Sequence, residues 1–233
     1  FYTRASQFSE MVAFTVNDII GTVTFPALSE LQNNAERMKA VYKKSLYLTA
    51  FIIFPVMTMM AILAKPLVLL LLTDKWLPCV ALLQLLCIAR MFTPLSAINM
   101  NLLNAIGRSD LFMKVDLSKL PIIILSLVIT IPISVKAICI GNLITTIICF
   151  FINAYYPGKL FGYGAFEQIK DYWKLFVAIS LMSLTIYVIC LLFVNIWAQL
   201  FVGALVGSGV YFLSCLILKA VTTSDIKSVF IIK

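Results

Sequence analysis

The stretch Thr22–Val56, TVTFPALSELQNNAERMKAVYKKSLYLTAFIIFPV, decides the fold. An apolar segment ends at Pro26, and a second one starts at Leu46. The connector between them is polar and basic, with Arg37, Lys39, Lys43 and Lys44. Because Lys and Arg accumulate on the cytoplasmic side of membrane proteins, this connector is predicted to be cytoplasmic. Its position assigns a side to every other loop of the chain.

The composition is that of an integral membrane protein. Of the 233 residues, 62% are hydrophobic and 12% are charged, and the mean hydropathy is +1.05. Soluble domains are about half apolar and about a quarter charged. The net charge of +8 comes from basic residues spread over loops between apolar segments. Nucleic acid is therefore not an expected partner.

Residues that carry catalytic or metal chemistry are sparse. The chain has no His, and its six Cys form no C-x-x-C pair. Zinc sites and histidine-based catalysis depend largely on those residues. The sequence also has no phosphate-binding loop, nucleophile elbow or paired carboxylates. We expect no enzyme activity, no metal and no cofactor.

Seven apolar segments are predicted to be spanning helices, because a bilayer core needs about 20 apolar residues per helix. The predicted fold class is all-α, a polytopic transmembrane helix bundle. A short apolar piece ending at Thr73 is predicted to be a kinked extension of the second helix. The spans are placed at 8–28, 46–64, 78–104, 117–134, 137–156, 174–194 and 197–219.

The distribution of Lys and Arg orients these helices. With the 22–56 connector inside, thirteen of the eighteen basic residues fall on the cytoplasmic side and four outside, with Arg90 within a span. This bias predicts an external start and a cytoplasmic C-terminus. The connector 157–173 and the tail 220–233 are then cytoplasmic.

Arg90 is the most informative single residue. It lies about 12 residues into its helix, or about 18 Å at 1.5 Å per residue, which is near mid-membrane. A charge at that depth indicates a function or a buried partner. Two interpretations stay open, a hydrated cavity and a structural ion pair, for instance with Asp18. The face that helical spacing gives to Arg90 also carries Thr93, Pro94, Ala97, Asn101 and Asn104.

Asp18 is the only acid deep within a predicted span. One interpretation makes it a carboxylate that couples transport to an ion or proton. The other has it neutralised by Arg90 or lying at a shallower depth.

Ordered landmarks over about residues 1–155 resemble the polysaccharide flippases, which are the Wzx-type members of the multidrug/oligosaccharidyl-lipid/polysaccharide exporter superfamily. Three of them are fairly specific at these mutual spacings, namely FPALSELQ, KPLVLLLLTDKW and NAIGRSD. One departure is Val135-Lys136-Ala137, where a Gly often precedes the next helix. The full set is FYTRA, TFPALSELQ, AERMKAVYKKS, FIIFPV, LAKPLVLLLLTDKW, LLQLLCIARMFTPLSAINMNLLNAIGRSD and LFMKVDLSK.

The resemblance implies a parent chain about twice this length, with two six-helix lobes around a central cavity and two further helices. On that map, 1–156 supplies five helices of the C-terminal lobe and 174–219 the additional pair. The N-terminal lobe of the same chain would be a missing partner.

The implied function is translocation of a polyprenyl-diphosphate-linked oligosaccharide across the bacterial inner membrane, for surface polysaccharide or O-antigen synthesis. The partners would be that substrate and membrane lipids, and H⁺ or Na⁺ coupling is left open. A polar headgroup needs a hydrated cleft, because it cannot cross about 30 Å of hydrocarbon unaided. The residues assigned to that cleft are Arg90, Thr93, Asn101 and Asn104.

Two other functions are weighed. A drug or cation antiporter of the same superfamily would favour an acidic, aromatic-lined cavity, whereas this cavity would offer Arg90. A membrane-embedded polysaccharide polymerase or ligase needs a sizeable external loop with catalytic residues, and the predicted external loops are very short.

Overall fold

The computed structural model describes residues 1–32 and 34–220. The predicted tail therefore falls almost entirely outside the described part. A short 3₁₀ helix, Asp74–Trp76, precedes α4. The α-helices in chain order are α1 (Tyr2–Ser29), α2 (Ala35–Ile62), α3 (Ala64–Leu71), α4 (Cys79–Arg90), α5 (Thr93–Ala105), α6 (Ser109–Thr130), α7 (Val135–Phe161), α8 (Ala165–Asp171), α9 (Trp173–Leu192) and α10 (Ile196–Ile217).

The predicted polytopic helix bundle is confirmed. Within the described residues, six helical segments are long and apolar enough to cross a membrane: α1, α2, Cys79–Ala105, α7, α9 and α10. The fourth predicted span, 117–134, corresponds to α6, which is not among the six. Its first half carries Asp110, Lys114, Asp116 and Lys119.

The basic connector is more helical than the sequence pattern predicts. Helix α2 begins at Ala35, and the side chain of Asn34 caps it by accepting a hydrogen bond of 3.0 Å from the backbone N–H of Arg37. An Asn cap satisfies one of the free N–H groups of a first helical turn. The basic residues therefore lie on the first turns of a helix of 28 residues. The short piece that was predicted after it is also a helix, α3.

The third predicted span is two helices. Helix α4 ends at Arg90, Met91 and Phe92 form a turn, and α5 begins at Thr93 with Pro94 in its first turn. Pro94 has no backbone N–H, so the carbonyl of Arg90 lacks the donor that a continuous helix would supply four residues later. The segment stays in the right-handed helical region through Phe92. The predicted span is therefore one helical segment with a break between α4 and α5.

Helix α1 runs beside α4 and α5 in the same direction. Helix α2 and the short α3 return the chain to the starting side, so the first and third spans are parallel. Three contacts in chain order fix the alignment: Cys79 Sγ with Phe1 O at 3.5 Å, Arg90 Nη2 with Glu10 Oε1 at 2.6 Å, and Gln32 Nε2 with Ala105 O at 2.6 Å.

Helices α6 and α7 form an antiparallel hairpin. Ser134 caps α7: its backbone is extended, and its hydroxyl accepts a hydrogen bond from the N–H of Ala137 at 3.1 Å. Gly141 lets the helices approach closely, since a Cβ there would lie 2.7 Å from Thr130 Cγ2. The start of the hairpin is joined to α5 by a small core of Met100, Leu103, Leu111 and Val115.

Helices α9 and α10 pack against each other, with α9 on α2 and α10 on α3. Gly207 makes this contact possible, because a Cβ on it would lie 2.6 Å from Ile186 Cγ1. Gly203, one turn earlier, faces Leu63. The small-residue pair Gly203 and Gly207 thus serves packing within the bundle.

Candidate functional site

The first candidate feature is the ion pair between Arg90, at the end of α4, and Glu10 on α1. Nη2 of Arg90 lies 2.6 Å from Oε1 of Glu10, and the two side chains are 20% and 31% exposed. The hydroxyl of Ser6 donates to the same Oε1 over 2.7 Å. Arg90 Nε is buried and has no partner among the described residues. Charge-assisted bonds of this length are strong and orient both groups.

The acid that pairs with Arg90 is therefore Glu10, which lies two turns before Asp18 on the same helix. Asp18 is exposed and forms no ion pair within the described residues. The spacing pattern could not identify Glu10, because the choice depends on the axial alignment of α1 with α4. A coupling role for Asp18 stays a prediction, and so does substrate binding by Arg90.

The polar face that was predicted beyond Arg90 is divided by the interruption at Pro94. Thr93 lines a cleft between α5, α6 and α7. Asn101 and Asn104 are half-buried further along α5 and do not line that cleft. The structure therefore brings Thr93, but neither Asn101 nor Asn104, to this cleft.

This cleft is the second candidate feature, and we call it the α5–α7 cleft. It has a volume of about 710 Å³, which lies within the range of roughly 300–1,000 Å³ for small-molecule sites. Tyr2, in the first turn of α1, also contributes to it. Its polar lining residues are Tyr2, Thr93, Ser96, Asp116, Lys119, Ser126, Asn142, Thr145, Thr146 and Asn153.

The polar groups on the α7 wall could be recognised from the sequence. Asn142, Thr146, Cys149 and Asn153 are spaced by four, three and four residues, which places them on one helical face. The α6 wall carries Asp116 and Lys119, whose side chains form an ion pair of 2.6 Å. The cleft brings these two faces together, and only the tertiary structure shows that they meet.

A separate, buried polar network includes Asn99 of α5. Asn99 and Gln168 are fully buried. Gln168 Nε2 donates to Asn99 Oδ1 at 3.0 Å and to the hydroxyl oxygen of Tyr42 at 3.1 Å. The hydroxyl of Tyr42 donates to Asn99 Oδ1. These bonds join α2, α5 and α8 through groups that would be costly to bury unpaired.

The network continues to the surface through Tyr163, whose hydroxyl donates to Asp171 Oδ2 at 2.8 Å. Lys43 pairs with the same oxygen at 2.7 Å. Burial raises the pKa of Tyr163, and the neighbouring Tyr172 and Asp171 raise it further. The phenol therefore stays protonated and remains a donor to Asp171. The short helix α8 is thereby fastened to the start of α2.

Taken together, these features define a polytopic helical membrane protein that holds a polar cleft between apolar helices. Residues 1–81 match the family model described as "Polysaccharide biosynthesis protein". No solved structure matches the chain significantly.

The chain is similar to curated membrane proteins and to a lipopolysaccharide biosynthesis protein. It is 29% identical over 222 residues to "Uncharacterized membrane protein in cps region" of Klebsiella pneumoniae, covering 92% of this chain and 45% of the relative. It is 27% identical over 217 residues to an uncharacterized membrane protein of Methanocaldococcus jannaschii, covering 90% and 42%. Over 118 residues it is 27% identical to the lipopolysaccharide biosynthesis protein WzxC of Escherichia coli (strain K12), covering 51% and 24%.

These comparisons confirm the resemblance that the sequence landmarks predict: the chain is similar to polysaccharide biosynthesis proteins, among them the lipopolysaccharide biosynthesis protein WzxC. The Klebsiella pneumoniae and Methanocaldococcus jannaschii relatives are matched along most of this chain, but the chain spans less than half of the length of either relative.

Proposed function

We propose that this protein translocates a polyprenyl-diphosphate-linked oligosaccharide across the bacterial inner membrane during the synthesis of a cell-surface polysaccharide. The observation that carries the proposal is the α5–α7 cleft, an open cleft whose walls combine ten polar residues with apolar ones, in a bundle with many exposed apolar side chains. A sugar headgroup that leaves water needs such a replacement for its hydration. The similarity to polysaccharide biosynthesis proteins supports this choice of substrate.

In this proposal, the chain acts as part of a longer protein that has a second lobe of helices. Substrate enters a site between the lobes from the cytoplasmic face and leaves on the external face as the lobes rock. The residues bind and release the substrate without breaking a covalent bond, so the activity is transport. The C-terminus lies in the cytoplasm.

Deletion of the gene for the full-length protein in its host, followed by complementation, tests the proposal. The lipid-linked oligosaccharide should accumulate in the cytoplasmic leaflet after deletion, and surface polysaccharide should be lost. Both should return when the full-length gene is supplied. Unchanged surface polysaccharide with altered drug susceptibility would contradict the proposal and favour an antiporter.

A further inference from the structure

The walls of the α5–α7 cleft are rich in hydrogen-bonding groups but carry no net charge. Asp116 and Lys119 are the only charged side chains among the described lining residues. They pair with each other at 2.6 Å, and the Lys119 side chain is only 15% exposed. A cation that is already neutralised by a carboxylate attracts a second anion only weakly. The cleft is therefore not built as a diphosphate site.

One acceptor in the cleft has no partner. Asn153 is 4% exposed, and its Oδ1 forms no hydrogen bond within the described structure. A buried carbonyl oxygen without a donor costs about 1–3 kcal/mol, so it marks a place where a donor is expected. On the same face of α7, Asn142 Oδ1 accepts from the hydroxyl of Thr146 at 3.2 Å. Its amide N–H groups have no acceptor among the described residues.

From these features, we infer that the α5–α7 cleft binds the uncharged sugar portion of the substrate, and that the diphosphate binds elsewhere. This inference rests on the proposed function. Sugar hydroxyls both donate and accept hydrogen bonds. A hydroxyl can donate to Asn153 Oδ1, and others can accept from the amide of Asn142. Because Asp116 and Lys119 neutralise each other, the electrostatic potential in the cleft is low, and a neutral ligand suits such a site.

Cys149 provides a reporter, because it lines the cleft between Asn142 and Asn153. In the full-length protein, every other Cys is replaced by Ala, and the protein is reconstituted in liposomes. The rate of Cys149 modification by a small methanethiosulfonate reagent is then measured with two probes that share one tail. Farnesyl maltoside carries a neutral disaccharide, and farnesyl diphosphate carries the charge without a sugar.

Farnesyl maltoside should slow modification of Cys149 several-fold, and farnesyl diphosphate should not. Asn153→Leu should abolish the protection, whereas Ser180→Ala on α9 should retain it. Protection by farnesyl diphosphate equal to that by the maltoside would overturn the inference. So would a Cys149 that does not react in the absence of both probes, since the cleft would then be closed by another helix.

The complementation experiment separates this inference from the proposed function. If the Cys149 protein restores surface polysaccharide but the maltoside gives no protection, the sugar site is wrong and translocation stands. If the maltoside protects Cys149 while deletion leaves surface polysaccharide unchanged, the translocation proposal fails.

Discussion

Arg90 Nη2 and Glu10 Oε1 lie 2.6 Å apart and join α4 to α1 across eighty positions of the chain. The pair sits where two parallel helices pass each other within the bundle. It neutralises a charge that the sequence places near mid-membrane, and this gives the ion-pair interpretation of Arg90 a specific partner.

The first prediction concerns that partner. Arg90→Ala should leave Glu10 as an unpaired acid and lower the amount of full-length protein in the membrane. The cost should fall between the roughly 1 kcal/mol of an exposed pair and the roughly 3–5 kcal/mol of a fully buried one. The double variant Arg90→Ala with Glu10→Ala should recover most of the loss. Quantitative immunoblotting of membranes measures all three variants.

Asp18→Asn provides the matched control, since Asp18 is an exposed acid on the same helix as Glu10. It should leave abundance unchanged and should not rescue Arg90→Ala. Normal abundance of Arg90→Ala with lost export would instead support the substrate-binding role that was predicted for Arg90.

The second prediction concerns the buried amide pair. Asn99→Leu should remove the carbonyl acceptor that Gln168 Nε2 and the hydroxyl of Tyr42 share, at about 1–3 kcal/mol for a donor left unsatisfied. We expect a clear fall in thermal stability in detergent, measured by size-exclusion chromatography after heating. Asn101→Leu changes a half-buried amide on the same helix and should have a smaller effect. Equal losses of thermal stability in the two variants would argue against a stabilising role for the network of Asn99, Gln168 and Tyr42.

The third prediction uses two glycines of α10. Gly207→Ala should be destabilising, because its Cβ would lie 2.6 Å from Ile186 Cγ1. Gly209→Ala meets nothing within 4 Å and should be neutral or stabilising by up to about 1 kcal/mol, since Ala favours helix more than Gly. Adding Ile186→Ala should rescue Gly207→Ala. The same heating assay measures all of these variants, and similar losses at the two glycines would contradict the packing.

The fourth prediction concerns topology. Lys43 is 2.7 Å from Asp171 of α8, so the start of α2 and the connector after α7 lie at the same end of the bundle. Single Cys residues at Lys43 and Lys170 should be labelled only from the cytoplasm. Cys residues at Lys75 and Lys136 should be labelled only from outside, as the basic-residue bias predicts. Labelling of positions 43 and 75 from the same side of the membrane would contradict the predicted topology.

The sequence predicts the helices of this fold well, because hydropathy reports burial in lipid directly. It also singles out Pro94 and Arg90 as unusual residues within a span. The start of α2 at Ala35 was missed, because a polar, basic segment can be helical without being apolar. The residue that indicates this start is Asn34, because Asn is favoured at the N-cap position of a helix, where its side chain accepts from the N–H of Arg37.

The cleft and the network could not be predicted in the same way. Asn99 and Gln168 are ordinary amides in the sequence, and their pairing depends on how α8 folds back against α2 and α5. Glu10 lies nearer the end of its predicted span than Asp18 and is the weaker candidate partner for Arg90 from the sequence. The parallel alignment of α1 with α4 nevertheless places Glu10 beside Arg90. Local patterns give the faces of helices, whereas the register between helices is a property of the packed bundle.

The interruption at Pro94 has a mechanical consequence. In a continuous helix, tilting one half against the other stretches a backbone hydrogen bond, but here that bond is already missing at the carbonyl of Arg90. Bending compliance is therefore concentrated at Met91 and Phe92, directly after the residue that is clamped to Glu10. A change of bend there would move Thr93 and Ser96 of the cleft wall relative to Arg90, whereas the later turns of α5 are held by Gln32 and by the Asn99 network.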